Sequence, residues 1–170
     1  MKSILKFDFT VDKENNTIHV TRDFDAPLQL VWKAWTVPEI LDQWWGPKPW
    51  RAETKSMDFR EGGHWLYAMV GPEGEKHWSM STFLSIEIEQ KIKSKGGFSD
   101  EHGVINTDLP RDVFESQFDA MDNKTRVNVT LSFESLEDLE QNLAMGFQEG
   151  FTMGLNQLDE LLEKLQKNAQ

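Results

Sequence analysis

Apolar and polar residues alternate in two short runs at the start of the chain. The apolar positions are Leu5, Phe7, Phe9 and Val11 in the first run, then Ile18, Val20 and Phe24 in the second. Alternation places every second side chain on one face of a strand. Residues 13–16 are polar and separate the two runs. The pattern therefore predicts a β-hairpin at the start of the chain.

The apolar spacing changes to three or four residues after Pro27, which is typical of a helix. A second short helix is predicted to begin at Pro38 and to end at Gly46-Pro47. Trp44 follows Leu41 at helical spacing, so we expect it in the core. Trp45 and Trp50 flank two nearby prolines, and we consider three roles for them: core packing, the rim of a cavity, or a surface that docks a partner.

Residues 51–133 carry six further segments with strand character, mostly joined by short turns. The last of them alternates Val127, Val129, Leu131 and Phe133 with polar residues. This pattern indicates an antiparallel sheet with one polar and one apolar face. A long helix over residues 137–167, capped by Ser135, is predicted to cover the apolar face. Gly146, Gly150 and Gly154 lie four residues apart in it, which indicates either close packing or space for a ligand.

Composition restricts the functional classes. The chain has 170 residues, a net charge of −11 and no cysteine. An acidic chain is unsuited to nucleic acid or to an anionic membrane, and the absence of cysteine excludes disulfides and thiolate metal sites. No apolar run is long enough for a signal peptide or a membrane span, so we expect a cytoplasmic protein.

Three stretches resemble one family. They are VTRDFDAPLQLVWKAWTVPEILDQWWGP, GGHWLYAMVGPEG and GFTMGLNQLDELLEKL, and they are similar to the family named after the activator of the heat-shock protein 90 ATPase, within the START-like (SRPBCC) superfamily. The resemblance implies an α+β helix-grip fold, a curved antiparallel sheet wrapped around a long C-terminal helix, with two short helices after the first family strand. We therefore expect a single START-like domain over residues 1–170, in which residues 1–16 add an N-terminal strand and turn.

The resemblance also implies a cavity between the sheet and the helix, so the side chains facing it can be predicted. If Val70 pairs with Glu75, one face of the hairpin carries an aromatic and methionine set, suited to an apolar ligand. The opposing strand and helix extend this face. The predicted lining residues are Trp65, Tyr67, Met69, Trp78, Met80, Phe114, Ser116, Phe118, Phe147 and Phe151.

These observations favour a domain that binds a small hydrophobic or aromatic molecule, without metal or cofactor. The four histidines lack metal-site spacing, and the predicted inner faces carry no carboxylate for acid–base catalysis. A co-chaperone regulating a heat-shock protein 90 ATPase is an alternative, although the activator has a preceding domain that this sequence lacks. A cyclase or hydrolase enzyme is a further alternative. Apolar surface near Trp45 and Trp50 would permit a homodimer.

Overall fold

The computed structural model describes residues 5–168. It contains eight strands: β1 (Phe7–Asp12), β2 (Thr17–Phe24), β3 (Arg51–Met57), β4 (His64–Val70), β5 (Lys76–Glu87), β6 (Lys91–Ser99), β7 (Arg111–Met121) and β8 (Lys124–Phe133). The helices are α1 (Leu28–Thr36), α2 (Pro38–Leu41), α3 (Leu136–Ala144) and α4 (Phe147–Asn168). The predicted hairpin, the two short helices and the six further strands are confirmed, although α2 ends at Leu41 rather than at the predicted Gly46-Pro47.

The strands form one antiparallel sheet in the order β1-β2-β8-β7-β6-β5-β4-β3. The pairing register shifts between Thr54 and Ser56 in β3, and between Phe83 and Ser85 in β5. Such bulges bend a strand and increase its twist, which curves the sheet. The predicted apolar residues of β8 are all buried on its concave face. This α+β architecture, with helices against the concave face, is the predicted helix-grip fold.

The C-terminal segment differs from the prediction of one helix over residues 137–167. Two helices occupy it, with Met145 and Gly146 between them. Gly146 has a φ of +91°, the left-handed conformation that commonly ends a helix at a glycine. Its N–H donates to the carbonyl of Leu143 at 3.0 Å, which closes the end of α3. Apolar residues recur at helical spacing on both sides of the break, so the periodicity alone did not reveal it. Ser135 caps α3 as predicted, accepting from the N–H of Asp138 at 3.1 Å.

The core lies between the concave face and the helices. Its largest fully buried side chain is Trp44, as predicted, and the Trp44 Nε1–H donates to the carbonyl of Ala34 at 2.9 Å. Leu155, Leu158 and Leu162 of α4 pack into the same core. The helices therefore hold one part of the concave face tightly covered. The part of the concave face beneath the beginning of α4 is not covered in this way.

Candidate functional site: a cavity beneath the fourth helix

A partly open cavity of about 590 Å³ lies between the sheet and the beginning of α4. Its walls come from β4 to β7, from the segment after α2, and from the junction of α3 and α4. The volume falls in the range of pockets that hold small organic molecules, roughly 300–1,000 Å³. Seven of the predicted lining residues border this cavity: Trp65, Tyr67, Met69, Phe114, Ser116, Phe147 and Phe151. That they contact a ligand stays a prediction.

Trp45 is the centre of an aromatic cluster inside the cavity. Its ring centroid lies 5.4 Å from that of Trp65, and 6.0 Å from those of both Phe114 and Phe151. All three contacts are edge-to-face, a favourable arrangement for aromatic pairs. Trp45 therefore reaches both the sheet and α4 and forms an inner wall, rather than only the predicted rim. Trp50 borders the cavity beside His77, at a centroid distance of 5.5 Å.

Gln157 fixes the segment that carries Trp45. Its side-chain amide Nε2–H donates to the carbonyls of Trp44 at 3.0 Å and of Gly46 at 2.7 Å. Its Oε1 accepts from the N–H of Lys48 at 2.9 Å. One residue of α4 thus satisfies three backbone groups of an irregular segment, which would otherwise lack partners within the protein. No sequence pattern distinguished Gln157 from the other polar residues of this helix.

The β4–β5 pairing corrects the prediction for Trp78 and Met80. Val70 pairs with Lys76, so the loop is one residue longer than the predicted pairing with Glu75 requires. A shift of one residue moves every side chain of a strand to the other face. Trp78 and Met80 therefore lie on the convex face, outside the cavity. There the Nζ atoms of Lys55 and Lys76 lie 5.6 and 5.8 Å from the Trp78 ring centroid.

Small polar side chains occupy the cavity floor where the prediction placed large apolar ones. Ser79 pairs with Tyr67, and Ser81 pairs with Trp65. Ser94 and Gly96 of β6 continue this floor. Because these residues are small, the space above them stays open. The observed pairing register, which places them on this face, therefore contributes to forming the cavity.

Phe118 lies on the predicted face but not in the cavity. It is buried beneath α1, with its ring centroid 5.1 Å from that of Trp32 and 5.6 Å from that of Trp35. Its role is core packing. The alternation correctly predicted which face of the sheet the Phe118 side chain lies on, but the position of α1 determines which residues it contacts.

Asp112 is the residue that sequence reasoning missed. It lines the cavity two residues before Phe114, on the same face of β7. The prediction that the inner face carries no carboxylate is therefore wrong, although extending the alternation of Phe114 and Ser116 by one step would have found it. Burial raises the pKa of Asp112 from 3.8 to about 7, and no charged neighbour in the described part of the chain opposes that shift. A desolvated carboxyl without a cationic partner behaves in this way.

Two further polar groups belong to the cavity. Burial raises the pKa of the Tyr67 hydroxyl, and hydrogen bonds with the side chains of Trp45 and Ser79 act in the opposite direction. The side-chain Oδ1 of Asn142, near the end of α3, is buried and has no hydrogen-bond partner. Buried acceptors are normally satisfied, so an unpartnered one in a cavity wall requires an explanation.

The three predicted helix glycines have three different surroundings. Gly146 ends α3 in the left-handed conformation. A Cβ atom at Gly150, which lines the cavity, would meet only the Cγ of Pro47 at 3.7 Å. A Cβ at Gly154 would lie 3.3 and 3.5 Å from the carbonyl oxygens of Trp44 and Trp45. Close packing therefore explains Gly154, whereas Gly150 has open space beneath it.

Within residues 5–168, no group of three or more potential metal-ligating side chains comes together. None of the helices in that range is long and apolar enough to cross a bilayer.

Comparison with known proteins places the chain in a family. The family model described as activator of Hsp90 ATPase homolog 1-like protein matches residues 25–163. The chain belongs to this family. Among solved structures, protein Ms6760 from Mycobacterium smegmatis is 33% identical, with a TM-score of 0.85, and the alignment covers 94% of this chain and 97% of that one.

Two other solved structures of similar length have the same fold. A protein from Arthrobacter aurescens is 31% identical over 92% of this chain and 91% of its own, with a TM-score of 0.87. One from Staphylococcus epidermidis is 28% identical over 91% and 94%, with a TM-score of 0.79. No protein of curated function matches the chain. The family and the fold are thereby established, and the activity has to be argued from the cavity.

Proposed function

We propose that this chain binds a small hydrophobic or aromatic molecule in the cavity beneath α4. The observation that carries the proposal is the cavity itself, about 590 Å³ and walled by the Trp45 cluster. Aromatic rings contribute large apolar contact areas, while the few polar groups can orient a ligand. A purely structural interior would be filled to close-packed density, with few voids larger than a water molecule.

A titration with the uncharged apolar dye N-phenylnaphthylamine tests the proposal, with dye emission and tryptophan quenching followed together. We expect saturable binding by the wild type. In Gly150→Leu, the new side chain enters the space beneath α4, because only Pro47 lies near the position of its Cβ. Affinity should then fall by about tenfold or more, as expected when a ligand must compete with a filled pocket.

Gln148→Leu is the matched control, because it adds the same side chain at an exposed position of the same helix. It should bind the dye like the wild type. The proposal is wrong if the wild type shows no saturable binding, or if Gly150→Leu binds as tightly as Gln148→Leu while both remain folded.

Acid–base catalysis in the same cavity is a second candidate, which the position of Asp112 favours. A carboxyl with a pKa near 7 can both accept and donate a proton at neutral pH. Metabolite profiling of a strain that carries Asp112→Asn should then reveal an accumulating compound. If the profile matches that of the wild type while a deletion strain differs, catalysis by Asp112 is excluded.

The family name gives the co-chaperone alternative, stimulation of a heat-shock protein 90 ATPase. A reproducible rise in the ATPase rate of the cognate chaperone upon adding this chain would support it. If Trp45→Ala, which alters the cavity, removes dye binding but not stimulation, the two roles use different surfaces.

A further inference from the structure

The polar groups that line the cavity include hydrogen-bond acceptors, but no lysine or arginine among the described residues. Among the described residues that line it, Asp112 is the only acid, and no lysine or arginine contributes. The buried Oδ1 of Asn142 has no hydrogen-bond partner, and Asp112 makes no hydrogen bond or ion pair within the described part of the chain. The cavity thus offers two oxygen acceptors that the protein leaves unsatisfied. Complementary groups on a ligand would have to be hydrogen-bond donors.

The sheet leaves room for such a group beside Asp112. Asp112 pairs with Gly96 of β6, and Gly96 pairs in turn with Ser81 of β5. A Cβ at Gly96 would lie only 2.8 Å from the Ser81 Oγ, so this position of the floor accepts no larger side chain without displacement. On the β6 side, the cross-strand neighbour of Asp112 is therefore a bare backbone, whereas on the β8 side it is Phe133. A ligand group can approach the carboxyl from the β6 side.

Lys95 and Arg111 lie near Asp112, but neither forms a hydrogen bond or ion pair with its carboxyl. Arg111 points to the opposite face of β7, where its Cγ approaches Gly97. Together with Lys95 and Glu134, it borders a smaller pocket of about 170 Å³, which Asp112 also borders. Lys95 instead lies 3.9 Å from Glu134. The carboxyl of Asp112 is thus left without a counter-ion, an arrangement that a cation entering the cavity would correct.

The remaining walls are also compatible with a cation. Trp45, Trp65 and Tyr67 present aromatic rings to the cavity, and the faces of such rings attract ammonium groups. The net charge of −11 favours the approach of a cation over that of an anion. The aromatic walls would at the same time contact an apolar ligand body.

We propose that the ligand is a protonated amine on an aromatic or aliphatic body, with the ammonium group at Asp112 and the body against the Trp45 cluster. This inference rests on the proposed binding function and specifies its ligand class. It follows from the position of an unpartnered carboxyl and an unpartnered amide oxygen in a cavity without lysine or arginine.

Three probes of one shape test it by isothermal titration calorimetry: naphthylmethylamine, naphthylmethanol and naphthoate. At pH 8.5 the wild type should bind the amine about tenfold or more tightly than the alcohol, and the anion most weakly. In Asp112→Asn, the preference for the amine over the alcohol should fall to about twofold or less, because the isosteric amide removes the charge and keeps the shape. Affinity for the alcohol should remain within about twofold of the wild type.

Asp119→Asn is the matched control, since it removes one charge from an exposed position of the same strand. It should keep the preference of the wild type for the amine. If it loses this preference as well, overall charge rather than Asp112 determines selectivity, and the inference is wrong. Binding of alcohol and amine with equal affinity would also overturn it while leaving the proposed function intact. Failure of all three probes to bind would reject both proposals.

The pH dependence gives an independent readout. Amine affinity should rise between pH 5.5 and 8.5 as Asp112 ionises, and the rise should be absent in Asp112→Asn. The other ionisable groups around this site are Tyr67 and His77 in the lining, with Lys95, Arg111 and Glu134 at the smaller pocket. All five remain in the variant, so a rise that persists there would originate from one of them and would contradict the role of Asp112.

Discussion

Strand β7 passes through two regions of the concave face that have the same alternation but different surroundings. Phe118 lies beneath α1 and is enclosed by Trp32 and Trp35, whereas Phe114 borders the cavity. Both rings point to the same side of the sheet. The strand itself therefore does not determine whether a region is packed or open.

The difference comes from what lies opposite and beside each ring. Above Phe118, α1 inserts two tryptophans, which fill the space between helix and sheet. Around Phe114 the floor contains serines and Gly96, and the roof contains Gly146 and Gly150. Small residues on both sides leave a void that the aromatic rings only border. The positions of the small residues therefore create the cavity. The aromatic rings at its edge give it an aromatic lining.

Truncating the two phenylalanines is the strongest test of this contrast. Phe118→Ala should lower the free energy of unfolding by about 3–5 kcal/mol, the usual cost of removing a fully buried phenylalanine. Phe114→Ala should cost only about 1–2 kcal/mol, because part of its surface already faces the void. Urea denaturation followed by far-UV circular dichroism measures both. Equal losses would mean that the two regions are packed alike, and the contrast would fail.

Removing the charge of Asp112 tests the open region through the pH dependence of stability. Because the pKa of Asp112 is about 7 in the folded protein and 3.8 in the unfolded chain, its ionisation favours unfolding. Stability is therefore lost as the pH rises from about 4 to 7. The advantage of Asp112→Asn over the wild type should grow by up to about 4 kcal/mol between pH 4 and pH 8.

Thermal or urea unfolding at the two pH values measures this change, with Asp119→Asn as the control. Asp119 is exposed, so its variant should follow the wild type to within about 0.5 kcal/mol at both pH values. An advantage of Asp112→Asn that is the same at pH 4 and pH 8 would show that the carboxyl is well hydrated. The open region would then be wetter than the desolvation of Asp112 indicates.

Most of the fold could be predicted from the sequence, because each strand appears as a local alternation of apolar and polar residues. The alternation in β8 gave the concave face, and Pro27 and Pro38 gave the starts of two helices. The break at Gly146 was missed because the apolar spacing continues across it. A left-handed glycine and a packed helical glycine have the same sequence signal, and only the backbone distinguishes Gly146 from Gly154.

The candidate site was less predictable, since its details depend on single-residue and long-range choices. One additional loop residue between β4 and β5 exchanged Trp78 and Met80 for Ser79 and Ser81. Asp112 could have been predicted, because it follows the alternation of its own strand. The burial of Phe118 depends on α1, which is distant in sequence, so no local pattern could separate it from Phe114.

The two helical glycines of α4 provide the finest test of the contrast, because both positions lie in the same helix. Gly150→Ala should raise the free energy of unfolding by about 0.5–1 kcal/mol, since alanine favours the helix and the methyl group meets only Pro47 at 3.7 Å. Gly154→Ala gains the same helix propensity, but its methyl group would lie 3.3 Å from the carbonyl oxygen of Trp44. That oxygen already accepts from Gln157 and cannot retreat without lengthening this bond. We therefore expect a net loss of about 1 kcal/mol, measured by urea denaturation of both variants side by side. If Gly154→Ala is instead as stabilising as Gly150→Ala, the segment carrying Trp44 and Trp45 yields to the helix, and the inner wall of the cavity is not fixed by close contact with α4.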